Sequence, residues 1–307
     1  MIDKNKQVLG HIFAIFTIFI WGTTFISTKI LLESFTPIEI LFFRFSIGFL
    51  ALMIIYPKHM KLTDKRQEWV FIGAGLSGVT LYFLLENIAL TYSTASNVGV
   101  IMSIAPFFTV IFTQYFSAGE RMKLNFFIGF IIAITGIFMI SFNGSMVLKL
   151  NPIGDILAML AAILWAVYSL LTRKISSYGY NTIQTTRHIF FYGLLFMIPV
   201  VVFFDFRLGL ERFTDPINLL NVMFLGFGAS ALCFVTWNIS VKWIGAVKTS
   251  VYIYMVPVIV VITSVIILKE KITLVTAVGT ILTLSGLIIS ESKISFGKRG
   301  IEDGYTK

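Results

Sequence analysis

The amino-acid sequence predicts an all-α membrane protein: ten transmembrane helices in two related halves of five, the second half inverted in the bilayer relative to the first. Three observations predict it. Only 13% of the 307 residues are charged while 57% are hydrophobic, at a mean hydropathy of +0.90. A water-soluble domain is roughly 25% charged, so this chain has too little polar material to coat a water-facing exterior, and lipid must be its main solvent. Uncharged runs recur along the whole length, among them Gln7–Thr28, Asn87–Gly119, Leu124–Leu148, Pro216–Val241 and Thr249–Leu268. The third observation is an internal repeat. A transmembrane β-barrel would need about ten-residue strands of alternating polarity; these runs are continuous and apolar, so helices are expected.

A helix needs roughly 20 apolar residues to cross about 30 Å of hydrocarbon. On that measure the first half holds spans at 10–31, 37–56, 69–90, 95–117 and 125–143. The second holds spans at 152–172, 181–204, 217–241, 246–268 and 273–290. The repeats therefore cover 10–143 and 152–290, flanked by cytoplasmic tails 1–9 and 291–307. The first apolar stretch is full length with no small-residue cleavage site after it, and reads as a span and not a signal peptide. Asn87–Gly119 is too long for one crossing, and the polar run Tyr92-Ser93-Thr94-Ala95-Ser96-Asn97 supplies the turn between the third and fourth spans. The longest cytoplasmic loop, Pro57–Glu68, is short and charged, so no water-soluble domain is expected. The single cysteine, Cys233, falls inside the eighth span, where it reads as an apolar filler.

The net charge of +9 reports topology. With the amino terminus inside, sixteen lysines and arginines fall on cytoplasmic segments, and only Lys149, Arg207, Arg212, Lys269 and Lys271 on outer ones. That is the positive-inside bias of a polytopic membrane protein; no nucleic-acid partner is implied. An even number of spans leaves both termini cytoplasmic, and the expected location is a bacterial plasma (inner) membrane.

The repeat is legible without gaps. LYFLLENIALTYSTASNVGVIMSIAP at 81–106 matches LCFVTWNISVKWIGAVKTSVYIYMVP at 232–257, with Leu81, Phe83, Asn87, Ile88, Ala95, Val100 and Pro106 meeting identical residues. Trp21 and Trp165 occupy matching places, with Lys29 and Arg173 eight residues on in each case; Gly129 and Gly136 are echoed by Gly279 and Gly286, and Glu120 by Glu270. Five spans per half is an odd number, so the copies must sit with opposite orientation. Inverted repeats are a frequent plan of secondary transporters, whose halves rock about a shared midplane site.

Several motifs together resemble the EamA family of the drug/metabolite transporter superfamily. They are Trp21-Gly22-Thr23-Thr24-Phe25 with Lys29, Pro37, Phe42-Phe43-Arg44-Phe45, Ala105-Pro106-Phe107-Phe108 and Gly119-Glu120-Arg121-Met122. The second half adds Val256-Pro257-Val258 and Lys269-Glu270-Lys271-Ile272-Thr273, and glycine pairs recur in the fifth and tenth spans. The resemblance spans nearly the whole chain. It implies a ten-helix carrier with two EamA repeats, from a family that exports amino acids and other small metabolites. Two departures, Ala166 after Trp165 and His188 after Arg187, lie where substrate choice could be set.

Charged residues within a span cost about 2.5–3.5 kcal/mol on insertion scales, so each needs a reason. Glu86 is the one carboxylate well inside a span, either a proton or cation site or half of a structural ion pair. Asn87 follows it, and Asn87 and its repeat partner Asn238 are paired polar groups suited to interhelical bonds or ligand contact. Arg44 and Arg187 could hold a substrate carboxylate bidentately or pair with Glu86 or carbonyls, with His188 alongside. Lys29 and Arg173 are expected to snorkel to headgroups. Pro106 and Pro257 should kink the fourth and ninth spans, and paired mid-span breaks point to a transport path. Trp21, Trp165, Tyr82, Trp237, Tyr252 and Tyr254 are the candidate lining, an interfacial belt being the alternative. The glycine pairs should form close contacts, within the chain or across a homodimer.

No P-loop of the form G-x-x-x-x-G-K-[ST] and no His/Cys ligand cluster is spelled out, so neither an ATP motor nor a cofactor is expected. The expected function is a secondary carrier exporting a small metabolite such as an amino acid by alternating access, with Glu86 as a proton-coupling candidate. The alternatives are an uncoupled facilitator, drug or organic-cation efflux or uptake, and, in another class, a membrane enzyme acting on lipid-linked substrate.

Overall fold

A computed structural model describes residues 4–93, 95–116, 124–142, 151–203, 206–268 and 273–291. Among these residues the chain is all helical. Six helices are long and apolar enough to cross a membrane: Lys4–Leu31, Pro37–Ile55, Gln67–Tyr92, Pro152–Ser177, Thr182–Phe203 and Pro216–Ile244. Shorter apolar helices accompany them at Leu124–Met139, Ala246–Ile259 and Ala277–Ser290. Glu120, Glu270 and the carboxy-terminal tail lie outside the described residues.

In chain order the helices are α1 (Lys4–Leu31), α2 (Pro37–Ile55), α3 (Gln67–Gly75), α4 (Tyr82–Tyr92), α5 (Ala95–Met102), α6 (Ala105–Phe116) and α7 (Leu124–Phe142). There follow α8 (Pro152–Ser177), α9 (Thr182–Phe203), α10 (Pro216–Met223), α11 (Cys233–Ile244), α12 (Ala246–Val251), α13 (Met255–Leu268) and α14 (Leu274–Glu291). Local chemistry sets several starts. Thr36 caps α2 through the Glu39 amide while the Glu39 carboxylate reaches back to the Thr36 amide, with Pro37 in the first turn, where its missing N–H costs nothing. Asn151 before Pro152 and Asp215 before Pro216 cap α8 and α10 similarly.

Interruptions fall at repeat-related places. α3 runs into α4 through a π-helical stretch, Leu76–Leu81, and α10 into α11 through another, Phe224–Leu232. These end on the repeat-matched Leu81 and Leu232. Between α5 and α6 the helix breaks at Ser103–Ile104, and between α12 and α13 it tightens to a 3-10 turn at Tyr252–Tyr254. Each break lies just ahead of a proline, Pro106 or Pro257. Proline has no N–H for the carbonyl four residues back, so Met102 and Ile253 lose their helical donors.

The glycine faces meet one another inside the chain. A Cβ on Gly136 would lie 2.5 Å from the Gly279 carbonyl oxygen, and one on Gly129 or Gly286 would lie 2.5 Å from the other's carbonyl oxygen. α7 and α14 therefore pack antiparallel at backbone contact, which any side chain would prevent.

Lys29 and Arg173 depart from the headgroup expectation. The Lys29 ammonium donates to the carbonyls of Leu90 and Ser93 at 2.6 and 3.3 Å. Arg173 donates to those of Val241 and Lys242, both at 3.1 Å. These carbonyls lie where α4 and α11 end and regular helical bonding runs out; that of Val241 also accepts from the Gly245 amide at 3.1 Å, and a cation complements the negative end of the helix dipole. Cys233 is fully buried, as a filler should be.

Candidate functional site

Helices α1, α4, α5, α6, α8 and α13 enclose a central cavity of about 40 Å³, room for roughly three waters. One side is aromatic. Trp21 meets Trp165 edge-on with ring centroids 5.2 Å apart, and Tyr82 lies 4.8 Å from Trp165. Trp237 closes the cluster from behind, 5.1 Å from Trp21 and 5.7 Å from Trp165. The indole N–H of Trp21 donates to the Ala229 carbonyl at 2.9 Å, which fixes its ring as part of the wall.

Glu86 supplies the cavity's carboxylate. It is 7% exposed and interacts with the Tyr82 hydroxyl and, through charge, with Arg44. Arg44 is buried on α2. Its Nε donates to Ser230 Oγ at 3.0 Å and its guanidinium carbon sits 4.3 Å from the Phe83 ring centroid. Phe83 thus stands between the arginine and the cavity, one helical turn from Glu86. Among the described residues no direct ion pair joins Arg44 to Glu86.

Several buried polar atoms here have no hydrogen-bond partner: Glu86 Oε2, Arg44 Nη2, and the indole nitrogens of Trp165 and Trp237. A buried unsatisfied group costs about 1–3 kcal/mol, more when charged. Two of these residues, Glu86 and Trp165, line the cavity itself, where one polar ligand can meet an acceptor and a donor together.

Other sequence candidates go elsewhere. Asn87 donates to the Pro37 carbonyl at 3.2 Å. Asn238 donates to Thr186 Oγ1 and accepts from the Tyr168 hydroxyl, both at 3.0 Å. Both asparagines are therefore interhelical ties. Arg187 donates to the Tyr56 and Lys58 carbonyls at 2.6 and 2.8 Å, holding the loop before α3. His188 Nε2 lies 2.6 Å from Glu68 Oε1, which also accepts from the Tyr192 hydroxyl. Neither residue reaches the cavity. Tyr252 bonds His11 at 2.7 Å and Tyr254 is buried against Phe130. Pro106 and Pro257 do not line the cavity, but the residues around their breaks, Met102, Ala105, Ile253 and Val256, do.

The sequence reading missed Ile18, Phe25 and Phe83 as lining. Ile18, Trp21 and Phe25 share one helical face, a signal that was present but indistinguishable from ordinary packing. The partnership of Arg44 with Ser230, far away in sequence, left no local signal.

Comparisons with known proteins identify the family and the fold. The model of the EamA-like transporter family matches residues 8–142 and again 152–291, and the chain belongs to that family. An uncharacterized transporter of Archaeoglobus fulgidus is 27% identical over 288 residues, covering 92% of this chain and 97% of that one. The uncharacterized transporter YyaM of Bacillus subtilis is 27% identical over 293 residues, covering 93% of each. A crystal structure at 20% identity superposes with a TM-score of 0.71 over 94% of this chain and 97% of its own, and has the same fold. The chain is thus a multi-pass membrane transporter.

Proposed function

We propose that this protein is a ten-span secondary carrier of two inverted repeats that moves a small amino-acid-like metabolite by alternating access, most simply outward. The six long helices would supply six spans; α5 with α6, α7, α12 with α13, and α14 would supply the rest. The lysine and arginine bias would set both termini in the cytoplasm of a bacterial inner membrane.

The observation that carries the substrate reading is the set of unpaired polar atoms at the cavity. Glu86 Oε2 can accept from an ammonium, while Trp165 Nε1 is an unspent donor suited to a carboxylate. Charge points the same way. Arg44 and Glu86 cancel, and a zwitterion keeps the buried sum at zero, whereas a bare cation would leave an uncompensated charge in a low-dielectric site. The aromatic wall favours a second reading, an organic cation held by ring faces and Glu86.

The test is uptake and efflux of a radiolabelled amino-acid mixture in sealed proteoliposomes, with and without a pH gradient, for wild type and Glu86→Gln. Selective movement that the gradient drives in wild type but not in the variant supports a proton-linked carrier with Glu86 as coupling site. Amino-acid movement unaffected by gradient or variant makes Glu86 structural and the protein a facilitator. Movement of a quaternary ammonium probe without amino-acid movement selects the second reading.

A further inference from the structure

Two hairpin tips carry most of the broken helices, and the same constellation grips each. One tip joins α4 to α5. Lys29 of α1 holds the Leu90 and Ser93 carbonyls, and Asn151, capping α8, donates to the Tyr92 carbonyl at 3.0 Å. Gly154 of α8 abuts it so closely that an added Cβ would lie 3.1 Å from those of Tyr92 and Ser93. The other tip joins α11 to α12 through Gly245. Arg173 of α8 holds the Val241 and Lys242 carbonyls. Gly10 of α1 abuts it, with an added Cβ 3.4 Å from that of Trp243, and Ser240 Oγ donates to the Gly10 carbonyl at 2.8 Å.

The roles of α1 and α8 are thus exchanged between the tips. Gly10 and Lys29, like Gly154 and Arg173, are nineteen residues apart on one helix, about 28 Å at 1.5 Å per residue. The tips therefore lie at opposite ends of α1 and α8, a separation close to the hydrocarbon thickness of about 30 Å. Each gripped segment runs from a π-helical stretch to a proline break. The first carries Tyr82, Glu86, Met102 and Ala105 to the cavity, and the second carries Ile253 and Val256.

We propose that Lys29 and Arg173 are the latches of two gates at opposite membrane faces, each releasing one hairpin that swings on its π-helical stretch and proline break. Both latches are closed here. A bond from one side-chain cation to the end of a helix can be broken without disturbing the core, because water can replace it at the membrane surface. The proposal rests on the carrier reading above, since a gate needs a path, but is independent of the substrate.

The experiment places single cysteines at the buried, repeat-matched positions Val98 and Thr249, in a Cys233→Ala background. A membrane-impermeant maleimide is then applied from either side of oriented vesicles. Lys29→Met should raise labelling of the Val98→Cys reporter from the outer side about tenfold and lower that of Thr249→Cys from the inner side; Arg173→Met should do the reverse. Lys29→Arg and Arg173→Lys, which keep the charge, should resemble the parent. Equal gains at one face for both methionine variants, or no change in either, would overturn the assignment.

A second arm needs no loss of a latch. Disulfides in Ser93→Cys/Gly154→Cys and Gly10→Cys/Trp243→Cys should each arrest solute exchange until reduced. Exchange at the unlocked rate in the cross-linked protein would show that the tips do not move. If the parent carries no tested solute yet the labelling changes in opposite directions, the gates stand and the substrate reading falls.

Discussion

The Lys29 ammonium lies 2.6 Å from the carbonyl oxygen of Leu90, sixty-one residues away, and Arg173 makes the matching contact with Val241. Leu90 and Val241 are paired by the same ungapped alignment that pairs Asn87 with Asn238. Two side chains read as headgroup anchors are thus caps on helix ends, and the repeat is expressed in tertiary contacts as well as in sequence. Trp21 and Trp165, which stand eight residues before Lys29 and Arg173, meet at the cavity.

The α7–α14 contact should be intolerant of any side chain. Gly136→Ala would drive a Cβ to 2.5 Å from the Gly279 carbonyl oxygen. Separating two backbones at an otherwise close-packed contact should cost about 1–3 kcal/mol. Thermal unfolding in detergent will show a clear drop, and Gly136→Val a loss of folded protein. By contrast Gly99→Ala meets nothing within 4 Å and should unfold like wild type.

A buried Glu39 and a partly exposed Arg212 form a clamp between the start of α2 and the loop before α10. Two contacts of 2.8 and 3.2 Å join them, while Glu39 also accepts from the Thr36 and Arg207 amides. The Arg212 guanidinium also packs 4.3 Å over Phe35. Glu39→Gln leaves a partly exposed cation without its countercharge and gives the Thr36 and Arg207 amides a weaker acceptor, and should cost about 1 kcal/mol. Because the Glu39 carboxylate is buried while Arg212 is partly exposed, the loss should shrink only in part from low to high salt, which denaturation at two ionic strengths will check.

Arg44 and Glu86 should be energetically coupled although they make no direct ion pair. Either single change, Arg44→Gln or Glu86→Gln, leaves an uncompensated buried charge, so each should destabilise. The double variant removes both charges and should recover stability, giving a coupling of about 1 kcal/mol or more in a double-mutant cycle. Additive losses in detergent unfolding would mean that the two charges do not sense each other.

Trp21→Phe keeps a ring in the cavity wall but removes the donor to the Ala229 carbonyl. A loss of about 1 kcal/mol is expected, with the Trp165 environment disturbed. Trp165→Phe removes an indole N–H that has no partner, so it should cost less stability than Trp21→Phe while weakening solute binding. Unfolding and solute-binding titrations on both variants together will separate the wall from the ligand contact.

The all-helical, membrane-spanning character was readable from the chain alone. Apolar runs of the length a bilayer demands, the charge asymmetry between loops and the ungapped repeat require no knowledge of which helix touches which. The prolines announced the breaks at Ser103–Ile104 and Tyr252–Tyr254, since the missing N–H is a local fact. The glycine spacing announced a close contact, though not that α7 and α14 would be the partners.

What the tertiary structure decided is the direction in which each polar side chain spends its hydrogen bonds. Arg44 and Arg187 look alike in sequence, yet one is buried against Ser230 and Phe83 while the other holds the Tyr56 carbonyl. Asn87, next to Glu86, and its repeat partner Asn238 are consumed by other helices, and Glu86 keeps an unpaired oxygen. The reason is physical. Hydropathy and span length act along one helix and are written in consecutive residues, whereas a helix's rotation about its axis is set by packing against neighbours. That rotation selects, from residues of equal chemistry, the few that face the cavity with bonds still to make.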